Sequence, residues 1–390
     1  MVKPLTDTGE GSPKKLASQE VMSLAGASLL SAVGSLPLHL MPLIVVALVN
    51  DARTTIATAG WIAAATMAGQ LLVSLALPAF KVQTLRRSAA AGSAGLLLAG
   101  LLLTVSGGSG PLFLGWFVIG GCCGLFLYLG TSTAAVSSRP TFAFSLRLGA
   151  VLLLAGSVAG ALQATGVLTS YVSLSVALCL AFAAAQATGI ALYRPLTPKA
   201  SPMQEGRGQD PKGARLPGLA VVFLLFVGQA GFLAYVLQNA TARGMALGET
   251  AWALAAMKIG AGLALLLIAR LGLQHQQRQR FLELGALLAV SILVISMTRN
   301  ALVFFLGLFG LEIALNLLSA RLQAAVAVAA PRFAGRWLTG TVLLGAAVGP
   351  PLHGAALSFG TQAYFLAFAG LSAFLPFLWW KGSRLDGRVA

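Results

Sequence analysis

Apolar runs of about twenty residues, separated by short clusters of charge, glycine or proline, recur along the whole chain. At about 1.5 Å of helix rise per residue, such a run covers a hydrocarbon core of ~30 Å. The pattern predicts twelve spanning helices, over residues 24–49, 56–79, 89–106, 111–132, 144–165, 171–192, 217–238, 250–269, 281–298, 301–322, 337–358 and 361–380. The runs are continuous, unlike the alternating segments of ~10 residues that build a membrane β-barrel. The first run follows a polar stretch and exceeds the roughly 7–15 apolar residues of a signal peptide, so a retained first span is expected.

Charge orients these helices. With the N-terminus cytoplasmic, all but four of the 26 Lys and Arg fall on the cytoplasmic side, the exceptions being Arg53, Arg243, Arg299 and Lys258. An excess of Lys and Arg marks that side, and an even number of spans returns the C-terminus to it. The stretch from Pro195 to Arg215 is rich in Pro, Gly and charge and reads as a linker. The expected organisation is a cytoplasmic tail at 1–23, a six-helix bundle at 24–193, a cytoplasmic linker at 194–216, a second six-helix bundle at 217–380 and a cytoplasmic tail at 381–390.

Composition agrees. The chain is 57% hydrophobic and 9% charged, where a soluble domain carries roughly 25% charged residues. A net charge of +16 would point to nucleic acid in a soluble protein. Here the basic residues are scattered between apolar runs and report topology, so no nucleic-acid partner is expected. Cys122 and Cys123 are adjacent in an apolar run and Cys179 stands apart, which is neither a disulfide framework nor a zinc spacing. No HExxH, GxSxG or P-loop sequence occurs. Neither an enzyme nor an ATP-driven pump is indicated, and no metal or cofactor is expected.

The two halves repeat. Trp61, Ala64, Ala65 and Gly69 match Trp252, Ala255, Ala256 and Gly260 at an offset of 191, and Arg147, Gly156 and Gly160 match Arg336, Gly345 and Gly349 at an offset of 189. Twelve spans in two halves of six, termini on one side and a central cytoplasmic loop together resemble the major facilitator superfamily of secondary transporters. The second-to-third loop, ALPAFKVQTLRRSAAAG, keeps the family's basic residues as Lys81, Arg86 and Arg87 but has Phe80 at its acidic position. Span four has Trp116 where the family often has Arg. Span five has Gly156 and Gly160 without the proline of the antiporter signature, which the repeat mate carries after Gly349 as Pro350. The resemblance implies a central site between the halves and alternating access.

A charge at the bilayer centre costs roughly 2.5–3.5 kcal/mol on insertion scales, and two residues stand near mid-span: Lys258 in span eight and Glu312 in span ten. Their depths differ by only ~4–5 Å. The superfamily's cavity is lined by spans seven, eight, ten and eleven, which implies a proton-coupling pair facing it; a purely structural ion pair is the alternative. Phe305, Phe309, Glu312, Asn316 and Ser319 share one helical face. Ser28, Ser31, Ser35 and His39 share a face of span one, where Pro37 and Pro42 are expected to bend the helix. Histidine titrates near neutral pH, so His39 is a candidate proton carrier, with His353 in span eleven as a second. Candidate solute-lining residues are Ser35, Tyr128, Gln163, Gln229, Phe232, Tyr235, Asn239, Phe309 and Asn316. Trp61 and Trp252 are expected to be packing residues.

These observations support an all-α membrane protein of two six-helix bundles. Its expected function is secondary active transport, proton-coupled, of a small organic solute that is anionic or zwitterionic, with efflux favoured over uptake. The chain is expected to act as a monomer in a plasma membrane, the bacterial inner membrane by its Ala/Leu/Gly-rich, Arg-heavy composition. The alternative is a polytopic membrane protein that transports nothing: a sensor, a scaffold or an intramembrane enzyme.

Overall fold

The computed structural model describes residues 18–51, 54–76, 82–105, 108–137, 139–166, 170–192, 212–271, 277–329, 337–360 and 363. Eleven α-helices follow one another: α1 (Ser18–Asn50), α2 (Ile56–Ala76), α3 (Val82–Val105), α4 (Ser109–Ala135), α5 (Pro140–Ala164), α6 (Tyr171–Leu192), α7 (Lys212–Ala242), α8 (Leu247–Leu271), α9 (Gln277–Met297), α10 (Ala301–Ala329) and α11 (Thr339–Ser358). No strand occurs among the described residues. The twelfth expected span, 361–380, lies outside them apart from Ala363, as does most of the expected linker.

Nine of the described helices are long and apolar enough to cross a membrane. The other two, α3 and α9, have shorter apolar segments at Ala94–Val105 and Glu283–Met297. Several helices overrun the apolar stretches that announced them: α1 begins at Ser18, α7 at Lys212, and α10 runs to Ala329. Hydropathy marks the part of a helix suited to hydrocarbon, whereas the backbone ladder continues through polar residues at its ends. Pro37 and Pro42 lie inside α1 without dividing it.

In the first half α1 packs on α4, α5 and α6, while α4 also receives α2 and α3. In the second half α7 packs on α10 and α11, and α10 also receives α8 and α9. Polarity is arranged inside out relative to a soluble protein. Leu72, Leu102, Leu180, Leu263, Leu293 and Leu302 are exposed, while His39, Gln70, Arg147, Lys258, Glu312 and Gln323 are buried. Lipid offers exposed polar groups no hydrogen-bond partners, so they turn inward.

The halves meet along two antiparallel seams, α5 against α8 and α2 against α11, with α1 also touching α7. Both seams are in contact from one end to the other. Near the face where α1 begins, Gly149 lies against Leu266, and Gly340 against Leu71 and Leu75. Near the opposite face, Gly248 lies against Gln163, and Gly60 against Pro350.

Candidate functional site

The buried charges define two polar groups at different depths. In the first, Lys258 on α8 donates to a carboxylate oxygen of Glu312 on α10, Nζ to Oε1 2.6 Å, with both side chains fully buried. The second carboxylate oxygen accepts from Asn316 Nδ2 at 3.2 Å, and the same amide nitrogen donates to the Glu312 backbone carbonyl at 2.8 Å. Lys258 Nζ also lies 3.3 Å from His39 Nδ1 on α1. A charged ammonium has no lone pair, so the imidazole nitrogen is the acceptor. Lys258 and Glu312 each stand eleven residues into their helices, ~16 Å below the helix end, in the middle of the molecule. One group thus joins α1 of the first half to α8 and α10 of the second.

The second group centres on Arg147 of α5, which is 4% exposed. Its Nη1 donates to the hydroxyls of Ser31 on α1 at 3.0 Å and Thr131 on α4 at 3.1 Å. Its Nη2 donates to Gln323 Oε1 on α10 at 2.6 Å, and Gln323 Nε2 donates in turn to Ser319 Oγ at 2.6 Å. The guanidinium lies 5.4 Å from the centroid of the Phe144 ring, and Nε has no hydrogen-bond partner. All of these neighbours are neutral.

Sequence reasoning assigned Lys258, Glu312, His39 and Asn316 to the site, and the structure brings these four together. It missed the second group, because Arg147 was read as a basic residue marking topology. Two signals were present. Arg147 falls inside the fifth apolar run, and Gln323 extends the stripe of Glu312, Asn316 and Ser319 by one further turn.

The remaining candidates are distributed as follows. Ser35 is buried one turn from His39 on α1. Gln229, Phe232, Tyr235 and Asn239 are all buried on α7. Tyr235 donates to the Ile56 carbonyl at 3.3 Å, linking α7 to α2 across the halves. Among the described residues, Gln229 Oε1 and both side-chain polar atoms of Asn239 have no hydrogen-bond partner. Gln163 is half-buried at the end of α5, beside Gly248. Tyr128 is half-buried and packs with Ala27, Leu30 and Val33 of α1 and Leu125 and Phe126 of α4, in a separate apolar cluster. Phe309 is half-buried, stacked on Phe305 with centroids 6.2 Å apart and lying against Gly260 of α8. His353 is buried, with Nδ1 donating to Gly349 O at 3.1 Å and its ring against Gly231. Trp61 and Trp252, expected to pack, are instead 60% and 50% exposed at matching places near the starts of α2 and α8. An indole with an apolar body and one N–H donor suits the boundary between lipid and water. Among the described residues, no group of three or more His, Cys, Asp or Glu is placed to hold a metal ion.

Among solved structures, the chain is similar to the crystal structure of the human organic anion transporter MFSD10 (TETRAN). The TM-score is 0.60 at 18% identity, over 92% of this chain and 99% of that one. The two proteins share one fold. Coverage of nearly the whole of both chains means that the likeness runs along most of the chain rather than over one bundle. No protein-family model matches the sequence, and a search of curated proteins gives no match.

Proposed function

We propose that the protein is a secondary active transporter that moves a small organic anion or zwitterion in exchange with, or together with, protons. The observation that carries this reading is the fully buried Lys258–Glu312 pair in contact with His39 of the other half. A packing contact between helices needs no charge, and apolar residues would make it more cheaply in lipid. A carboxylate that alternates between an ion pair and a protonated form has a reason to remain charged. In this reading Glu312 binds and releases the proton. Protonation neutralises the carboxylate and releases the Lys258 ammonium from the pair; release of the proton restores it.

Because His39 sits on α1 while Lys258 and Glu312 sit on α8 and α10, the state of the pair acts directly on the contact between the halves. Rocking of those halves about the central site gives alternating access. His353 and the α7 residues Gln229, Phe232, Tyr235 and Asn239 belong to the proton route and the solute lining. The structural neighbour's description as an organic anion transporter supports the solute class, as does the interior charge: among the described residues, Lys258 and Arg147 are buried with Glu312 as the buried carboxylate. By the distribution of Lys and Arg both termini are cytoplasmic, in the inner membrane of a bacterium, and the direction we favour is export by a monomer.

The test uses purified protein in liposomes with a trapped pH-sensitive dye, challenged with benzoate, benzenesulfonate and zwitterionic amino acids. Solute-dependent proton movement is expected in the wild type and is abolished in Glu312→Gln. Proton movement that persists in the variant would remove the carboxylate from the mechanism, and its absence from the wild type would remove proton coupling.

A further inference from the structure

Arg147 is a buried cation whose partners, among the described residues, are two hydroxyls, one amide oxygen and one aromatic ring. A guanidinium has five N–H donors. The contacts to Ser31, Thr131 and Gln323 use three, which leaves Nε–H, without a partner, and one hydrogen on Nη2. Two donors on neighbouring nitrogens of a planar fork match the two oxygens of an oxyanion. Ser31 and Thr131 accept from the arginine through oxygen, and each hydroxyl keeps its own hydrogen to donate. The groups round Arg147 therefore supply donors in excess and no negative charge.

From this geometry we infer that Arg147, with the hydroxyls of Ser31 and Thr131 and with Gln323 as the partner the anion displaces, is the site that binds the anionic group of the solute, a carboxylate, sulfonate or phosphate monoester. The inference rests on the transporter reading above and assigns the anion to a different place from the proton. Ser31 lies eight residues from His39 along α1, and Gln323 eleven from Glu312 along α10, separations of ~12 and ~16 Å. The two sites share α1 and α10 without sharing a residue. Gln323 is the only member from the second half, so an anion that takes over its donor on Nη2 loosens the link between α5 and α10. Arg147 stands seven residues from the start of α5, ~10 Å along the helix.

The test is calorimetric titration of the full-length protein in lipid nanodiscs with sodium benzoate, sodium benzenesulfonate and phenyl phosphate, and with benzamide as the neutral counterpart. Wild type is expected to bind the anions and not benzamide. Arg147→Gln weakens anion binding by about tenfold or more, and Arg147→Lys, which keeps the charge but not the fork, falls between. Gln323→Ala removes a competing acceptor and tightens anion binding, which tests the site even if Arg147→Gln fails to fold. Equal binding of benzoate and benzamide, no anion binding by wild type, or affinities unchanged in both Arg147→Gln and Gln323→Ala would overturn the assignment. Anion binding that depends on Arg147 without proton flux in liposomes sinks the proton-coupled reading and leaves this site standing. Proton flux driven by a neutral solute and unaffected by Arg147→Lys does the reverse.

Discussion

At the residue scale, the Lys258–Glu312 pair shows why a buried charge is best understood through its partner. Removing one member leaves the other desolvated and uncompensated, at a cost of roughly 3–5 kcal/mol, whereas replacing both with apolar residues of similar volume is close to neutral. Lys258→Met and Glu312→Leu are therefore each expected to lower the melting temperature in detergent by several degrees. The double variant should recover most of that loss while remaining inactive in proton-coupled transport. A thermodynamic cycle over the four proteins measures the interaction; losses that simply add would show that the 2.6 Å contact carries no coupling. Lys258 and Glu312 were legible in the sequence because charge inside a long apolar run is conspicuous. Arg147 was not, because a basic residue within two turns of a helix end satisfies the topology rule equally well. Only its contacts with Ser31, Thr131 and Gln323 separate the two meanings.

At the scale of the elements, close approach within a half and between the halves serves different ends. A Cβ placed on Gly120 of α4 would collide with the backbone carbonyl of Thr66 on α2. Those helices belong to one half, and nothing in a rocking motion requires them to part. Gly120→Val is therefore expected to destabilise the protein by ~1–3 kcal/mol, read as a fall in melting temperature. Gly156 of α5 makes its close approach across a seam: a Cβ there would stand 2.8 Å from the Ala255 carbonyl of α8 and 2.7 Å from Ile259 Cγ1. Gly156→Val props that seam open. The expected result is a transport rate reduced by tenfold or more, a loss of about 1.4 kcal/mol or more in the barrier, with a smaller fall in melting temperature than Gly120→Val. Equal thermal losses from the two variants would contradict the distinction. In the sequence each glycine has a second one four residues on, Gly124 after Gly120 and Gly160 after Gly156; which helix each one meets depends on chain segments far apart in sequence.

At the scale of the whole molecule, the α5–α8 and α2–α11 seams are each in contact near both faces, and alternating access by the proposed transporter requires one end to part at a time. Leu75 and Gly340 are neighbours at one end of the α2–α11 seam, and Gln163 and Gly248 at the opposite end of the α5–α8 seam. With Cys122, Cys123 and Cys179 replaced by Ser, a cysteine pair at either place, joined by a short thiol-reactive linker, is expected to stop solute movement, and reduction should restore it. Transport that continues with both ends cross-linked would exclude rocking of the halves. The outer surface offers a separate check. The exposed Trp61 and Trp252 belong at the lipid boundary, so quenching by lipids brominated near the headgroup should fall when both are changed to Phe.

The sequence alone determined that this is a polytopic helical membrane protein and singled out Lys258 and Glu312 as charges within its apolar runs. These are properties of composition and local periodicity: the length of an apolar run is set by bilayer thickness, and a charge within it is costly wherever it points. Tertiary structure decided what those residues touch. That His39 meets a lysine from the other half, that Arg147 reaches Gln323 across 176 positions of sequence, and that Trp61 and Trp252 face outward all depend on how helices rotate and pair. In lipid, apolar residues suit every outward face about equally, so hydrophobic periodicity says little about rotation. Rotation is settled by close packing of small residues and by the need of each buried polar group for a partner, and both depend on helices remote in the chain.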